Sequence, residues 1–269
     1  PAKRVVVSDG SSILADAETG GDDPVELARR LGGKAVIVTD RDRVAAAKFA
    51  RSEFGVTCFV LDDGFQHRRA ARGLDIVCID PTDPFGGGEL LPAGRLRESP
   101  ANLRRADAVI ITKAEAAADL AKLEQEIRRF APEAEIFRAE SGISGFTELS
   151  AFLAGENASS NRELPGPAFA FCGLGNPSHF FKTLVEAGIE LAGTRAFRDH
   201  QRYTQAEAEL LNEAAKNARA TAFVTTAKDA VKFQNLSFGL PCFVAELGTA
   251  AFPADAFQAH VLKAVRENR

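Results

Sequence analysis

The sequence predicts an α/β protein with a mainly parallel sheet covered on both faces by helices. Three observations carry that expectation. Short runs rich in Val, Ile and Phe alternate along the chain with stretches of helical period. Several strand-like runs end in acidic or glycine-rich turns, where an open parallel sheet meets its ligands. The rhythm lapses in a loose segment from Gly155 to Gly166 and then restarts, which predicts residues 1–150 as one domain, 151–166 as a linker with paired strands, and 167–269 as a second α/β domain.

In order, Arg4 to Ser8 reads as a short strand followed by polar loop to Asp23. Pro24 to Leu31 reads as a helix with Asp22 or Asp23 at the N-cap and proline in the first turn. Ala35 to Thr39 is a strand, Arg43 to Phe54 a helix, and the β-branched and aromatic run Val56 to Leu61 a buried strand. Ile76 to Ile79 and Ala108 to Thr112 are strands separated by a Gly- and Pro-containing loop at Pro84 to Gly94. Ala114 to Phe130 is a long amphipathic helix, and Ile136 to Ala139 closes this half. The second half offers strands at Ala168 to Cys172, Gly193 to Phe197, Ala222 to Thr226 and Cys242 to Ala245. Helices are expected at Ser178 to Ala187, Gln205 to Ala218 and Phe257 to Glu267.

Composition narrows the function classes. A chain of 269 residues is long enough for one large or two medium domains with real cores. A net charge of −4 leaves no footprint of nucleic-acid binding. Cys58, Cys78, Cys172 and Cys242 lie mostly in apolar runs and never as Cys-x-x-Cys, so buried thiols are expected rather than disulfides or zinc ligands. No apolar stretch reaches the roughly 18 residues of a membrane-crossing helix, and no signal peptide is expected. The chain contains no methionine and opens on Pro1, which suggests that the natural N-terminus lies upstream.

The strongest local signal is Asp62-Asp63-Gly64-Phe65-Gln66-His67 after the apolar run. A strand ending in two carboxylates has the shape of a Walker B element, in which an acid holds Mg²⁺ through oxygen or water ligands. Adjacent acids repel, and a dication relieves that cost. The competing reading is a simple Asp-Gly turn. Gly20-Gly21-Asp22-Asp23-Pro24 sets a carboxylate at a helix start, either as a cap or as an acceptor for a substrate proton. Phe85-Gly86-Gly87-Gly88 and Leu90 to Glu98 read as a lid or substrate loop, with Arg95 and Arg97 as forked donors for phosphate. Arg68, Arg69, Arg72, Arg104 and Arg105 add positive charge, as solvated surface or as a meeting place for an anionic substrate or lipid headgroups. Arg198-Asp199-His200-Gln201 and Thr225-Thr226-Ala227-Lys228-Asp229 are polar clusters at strand ends, open to capping as well as to catalytic readings. The phosphate-loop pattern G-x-x-x-x-G-K-[ST] is not found; Gly33-Lys34 is followed by Ala35, and Ala28 stands where the leading glycine belongs.

Taken together and in order, these segments resemble the tetraacyldisaccharide 4′-kinases, the lipid A kinases of Gram-negative bacteria. The resemblance runs from about Val5 to Lys232. It rests on Gly21 to Pro24, Asp62 to His67, Leu90 to Glu98, Gly173-Leu174-Gly175-Asn176-Pro177 with Phe180-Phe181, Asp199-His200, and Lys228-Asp229-Ala230-Val231-Lys232. It implies a P-loop NTPase-like α/β/α sandwich domain joined to a second, smaller α/β/α domain. It further implies ATP and Mg²⁺ as cofactors, and transfer of the γ-phosphoryl group to the 4′-hydroxyl of a lipid A disaccharide 1-phosphate precursor in lipopolysaccharide synthesis.

The implied roles are Asp22 as catalytic base with His200 in support, Asp62 and Asp63 at the metal and nucleotide, and Gln66, His67, Arg97 and Asn176 in substrate-binding motifs. The implied location is the cytoplasmic face of the bacterial inner membrane, with neither nucleic acid nor an obligate protein partner. Gly87, Arg95, Gln201 and Ala227 depart from the residues usual in the family. The family's N-terminal membrane-associated helix and Walker A loop have no counterpart, so this stretch by itself is expected to be weak or inactive towards ATP. Another P-loop enzyme, such as a GTPase-like metallochaperone to which Thr112-Lys113-Ala114-Glu115 would belong, and a non-catalytic binding protein on the same fold are the competing readings.

Overall fold

The structure, a computed structural model, describes residues 4–155, 163–199 and 201–267, with Ala250 and Ala251 described by backbone alone. Its elements run β1 (Val5–Asp9), α1 (Ala17–Gly20), α2 (Asp22–Arg30), β2 (Val36–Thr39), α3 (Arg43–Phe54), β3 (Ile76–Ile79), β4 (Ala108–Ile111), α4 (Leu120–Phe130) and β5 (Glu135–Glu148). They continue with α5 (Leu149–Ala154), β6 (Ala168–Cys172), α6 (Pro177–Glu186), β7 (Leu191–Ala196), α7 (Gln205–Asn217), β8 (Ala222–Thr226), α8 (Ala227–Ala230), β9 (Cys242–Phe252) and α9 (Ala254–Glu267).

These form two compact units, each discontinuous in sequence: residues 1–59 with 142–247, and residues 60–141 with 248–269. The boundaries after 141 and 247 fall inside β5 and β9, so the chain changes unit within extended strands. The expected linker at 151–166 is instead begun by α5, and residues 156–162 lie outside the described residues. The difference has a physical origin. Residues 4–59 bury their apolar face against later parts of the chain, and Val7, Val25 and Ala28 share a core with Val231.

In the first unit β9, β8, β6 and β7 are neighbours in that order, and each neighbouring pair is parallel. Every residue of β6 and β8 is buried, as expected of strands covered on both faces. Phe169, Phe171, Phe223 and Phe233 fill one core cluster, with the Phe171 and Phe223 rings edge to face at 5.7 Å. β1 and β2 form a separate antiparallel pair. Arg29 Nη1 donates to Phe152 O at 3.1 Å and Leu153 O at 2.8 Å, satisfying carbonyls at the end of α5.

In the second unit β3, β4 and the start of β5 are parallel neighbours. Ile79, Val109, Ile111, Leu123 and Ile127 share its core. The expected α/β architecture with parallel pairing is therefore the observed one.

Several elements differ from expectation. Val56 to Leu61 forms no strand, and no other strand pairs with it among the described residues. Cys58 and Phe59 are exposed and Val60 is 94% exposed. Strand propensity is realised only against a neighbouring ladder, which this run does not have here. The expected helix from Ala114 to Phe130 is broken, because Asp119 accepts from Lys122 N and starts α4 afresh. β5 extends well past Ala139, through Gly142, because β9 is its neighbour. Ser144 Oγ donates to Glu246 O at 3.0 Å along that border. Only Cys172 and Cys242 are buried; Cys58 and Cys78 are exposed, and all four are free thiols.

Candidate active site

In the first unit, three segments far apart in sequence meet around two lysines. Gly21, at φ 93°, caps α2, so Asp22 and Asp23 occupy its first turn rather than the cap itself. Lys232 Nζ lies 2.8 Å from Asp22 Oδ2. Lys228 Nζ lies 3.4 Å from Asp23 Oδ1 and 3.3 Å from Asp199 Oδ1. Each of the paired acids therefore has its own ammonium. Burial works to lower the Lys228 pKa, but Asp23 and Asp199 outweigh it and hold the group above its ordinary value.

Behind Lys232 sits Asp229, which is fully buried. Its Oδ2 accepts from Gly173 N at 2.9 Å and Thr226 Oγ1 at 2.8 Å, and its Oδ1 accepts from Tyr203 O–H at 3.0 Å. Lys232 Nζ stands 3.7 Å from the same Oδ1. Such a set satisfies a carboxylate that would otherwise be costly to bury. The polar cluster Thr225 to Asp229 is thus a cap in part, since Thr226 caps α8, but its carboxylate faces the interior and not solvent. Burial first, and then the Asp229 charge, push the Cys172 thiol up to about 12.

Asn176 caps α6, accepting from His179 N at 3.3 Å, so its side chain begins a helix. His200 lies outside the described residues.

The second unit carries the other motif. Asp62 and Asp63 are both exposed in a turn, with Asp63 left-handed at φ 50°. Without a strand before them, they do not stand at a sheet's carboxyl edge as expected. Asp63 Oδ2 is 3.3 Å from Arg97 Nη1, with side-chain exposures of 72% and 62%. A pair that exposed contributes about 0–1 kcal/mol and exchanges readily. Gln66 Nε2 donates to Glu98 Oε1 at 2.9 Å, and Arg105 forks onto Glu98 at 3.1 Å. Arg105 also donates to Phe65 O at 3.2 Å and lies over the Phe65 ring at 4.2 Å. Burial acts to raise the Glu98 carboxyl, but Arg105 and Gln66 prevail and hold it below its ordinary value. His67 enters this frame through its backbone, donating to Gly64 O at 2.9 Å and accepting from Arg72 Nη1 at 2.7 Å.

Glu89 to Leu96 forms a closed loop. Leu96 N donates to Glu89 O at 3.1 Å, and a Cβ on Gly94 would fall 2.3 Å from that same oxygen. Arg72 and Arg105 are partly buried in ion pairs, while Arg68, Arg69 and Arg104 remain exposed.

Magnesium bound with nucleotide phosphates takes one or two carboxylates and completes its shell with water and phosphate oxygens. The exposed Asp62 and Asp63 fit that donor set. Among the described residues, no group of three or more His, Cys, Asp and Glu side chains is arranged to hold a metal alone. Lys232 and Tyr203 were not among the sequence-derived site residues. The four-residue spacing of Lys228 and Lys232 was the available signal for the lysine; nothing in the sequence marked the tyrosine.

Comparison with known proteins gives one consistent result. The family model described as tetraacyldisaccharide-1-P 4′-kinase, LpxK, matches residues 1–266. The tetraacyldisaccharide 4′-kinase of Desulfotalea psychrophila is 36% identical over 242 residues, which cover 89% of this chain and 68% of that protein. The corresponding kinase of Anaeromyxobacter sp. strain Fw109-5 is 42% identical over 233 residues, 84% of this chain and 60% of that protein. That of Syntrophus aciditrophicus is 35% identical over 278 residues, 97% of this chain and 71% of that protein. The chain thus spans between 60% and 71% of the length of these relatives. The crystal structure of LpxK from Aquifex aeolicus in complex with ATP superposes with a TM-score of 0.72 at 24% identity, covering 98% of this chain and 75% of that one. At that identity the likeness shows the fold.

Proposed function

Since the chain belongs to the tetraacyldisaccharide-1-phosphate 4′-kinase family, we propose that its protein phosphorylates the 4′-hydroxyl of a tetraacyldisaccharide 1-phosphate at the expense of ATP. The observation that carries this reading is the meeting of Asp22, Asp199 and Lys228 to Lys232 in one charged cluster. These are three of the motifs on which the family resemblance rests. The match to a kinase family favours this reading over a GTPase-like metallochaperone.

In the proposed reaction the γ-phosphoryl group passes from ATP to the sugar oxygen, ADP departs with the bridging oxygen, and the hydroxyl proton passes to Asp22. Phosphoryl transfer asks the protein for positioning and charge compensation more than for covalent chemistry. Asp62 and Asp63 would hold magnesium, which when bound neutralises phosphate charge. Arg97, released from its exposed pair with Asp63, would turn to the anionic substrate. Gln66, through Glu98 and Arg105, and His67, through its backbone bonds, keep the motif in shape beside it. Asn176 orders the start of α6, and His200 is assigned to Asp22 on the resemblance alone.

An acylated substrate places the work at a membrane surface, and we assign it to the cytoplasmic face of the inner membrane. No helix among the described residues is long and apolar enough to cross a membrane. Exposed Leu90 and Leu91, next to Arg95 and Arg97, suit contact with an anionic amphiphile.

The test is ATP-dependent phosphorylation of tetraacyldisaccharide 1-phosphate by the protein at the full length of its relatives. Asp22→Asn is expected to lower kcat by about 100- to 10,000-fold, and Asp63→Asn to raise KM for MgATP. Full activity in both variants would remove the site assignment.

A further inference from the structure

We propose that Lys232 is a positioning residue for the reaction, orienting the Asp22 carboxylate throughout proton transfer while the buried Asp229 serves as its lasting counter-ion. The inference rests on the reading of Asp22 as the base.

The geometry is a relay of charge from the interior outward. Asp229 is fixed by three donors on three segments: Gly173 N after β6, Tyr203 O–H before α7, and Thr226 Oγ1 at the end of β8. Lys232 is 9% exposed and leans on that carboxylate at 3.7 Å, with its ammonium 5.9 Å from the Tyr203 ring centre. Its outward reach ends on Asp22 Oδ2 at 2.8 Å. A lysine has rotamer freedom to lose, and burial between a fixed anion and Asp22 removes it. The position of Asp22 is thereby tied to the strand ends of the parallel sheet as well as to its own short helix turn.

The charge balance through one turnover explains why two acids are needed. Before transfer Asp22 and Asp229 are anionic and Lys232 is cationic. When Asp22 takes the hydroxyl proton it becomes neutral and its attraction for Lys232 falls. A buried ammonium left alone at that moment would carry a heavy desolvation cost. Asp229 keeps it paired, so Lys232 stays in place to receive the carboxylate when the proton leaves.

Among the described residues, the other charged groups near Asp22 are engaged with partners of their own, and His200, assigned to Asp22 on the resemblance, lies outside them. Asp23 and Asp199 share Lys228, and Glu26, one turn along α2, pairs with Arg30 at 2.8 Å.

The experiment measures kcat and KM across pH for the full-length protein and its Lys232→Met, Lys232→Arg, Asp229→Asn and Asp22→Asn variants, with melting curves for each. Lys232→Met is expected to lower kcat roughly 10- to 100-fold at unchanged KM for ATP and lipid. The acid limb of its kcat profile should move to higher pH, because a cation beside a carboxylate favours ionisation. Lys232→Arg should recover most of the rate and return the limb. Asp229→Asn should move the limb the opposite way, since one anion near Asp22 is gone. A wild-type profile in Lys232→Met, or a rate loss with an unmoved limb and no rescue by arginine, overturns the proposal. If Lys232→Met does not fold, an unmoved limb in Asp229→Asn overturns it instead. Full activity in Asp22→Asn would sink the base assignment itself; an inactive Asp22→Asn beside a wild-type Lys232→Met sinks the positioning role alone.

Discussion

Tyr203 donates its phenolic hydrogen to Oδ1 of Asp229 at 3.0 Å, and it is the only tyrosine in the chain. The ring is packed edge to face against Phe233 at 4.9 Å and Phe197 at 5.1 Å. One side chain therefore joins the aromatic core of the first unit to the buried anion behind Lys232. This single contact makes the interior end of the charged cluster open to spectroscopy.

Burial, and after it the Asp229 charge, raise the Tyr203 pKa far above its ordinary 10.0. A group raised on folding stabilises fully below its unfolded pKa and loses that contribution as pH rises towards the folded one. Titration of phenolate absorbance should accordingly show no ionisation near pH 10 while the protein is folded, with the signal arriving only on unfolding. Tyr203→Phe should cost about 1–3 kcal/mol in urea denaturation, the range for a lost hydrogen bond to a buried charge. An ordinary titration in the folded protein would contradict the contact.

Gly173 and Gly175 lie in one motif yet should respond differently to a methyl group. A Cβ on Gly173 would sit 2.9 Å from Arg198 O and 3.1 Å from both Asp229 Oδ1 and the Tyr203 hydroxyl. A Cβ on Gly175 meets only Asp199 Oδ2, at 3.6 Å. Gly173→Ala is expected to destabilise by about 1–3 kcal/mol, as overpacking does, whereas Gly175→Ala should melt with the wild type. Equal melting temperatures for the two variants would argue against the packing around Asp229.

Glu98 supplies an acid-sensitive joint in the second unit. Its carboxyl is held below the ordinary 4.5 although burial alone would raise it, because Arg105 and Gln66 bind the anion. A depressed carboxylate contributes stability above its unfolded pKa and loses it as pH falls through the folded value. The urea midpoint of the wild type should fall more steeply than that of Glu98→Gln as pH drops below 4.5. Parallel curves for the two proteins would show that the Arg105 fork adds nothing to the anion's stability.

By itself the sequence determined those features whose causes are local. β3, β6 and β8 begin and end where the sequence runs do, because their Ile, Val, Phe and Thr residues favour extended backbone and neighbours such as Asp80, Pro167 and Gly173 interrupt it. The presence of α2 was legible from glycine, acids and proline in succession, although its cap is Gly21 and its start Asp22 rather than Pro24, and the order of short motifs was enough to identify the family. Only the tertiary structure decided what depends on a partner from elsewhere. Among the described residues Val56 to Leu61 has strand chemistry but no ladder, while β5 and β9 run on past Ala139 and Ala245, where the expected strands stop, because each has the other beside it. Asp22 and Lys232 carry no mark of one another in the sequence, and Asp229 looks like a surface charge until Gly173, Tyr203 and Thr226 close around it. Propensity and capping act over a few residues, so a sequence displays them. Ladders, burial and ion pairs draw their energy from groups that only the completed fold brings within a few ångströms.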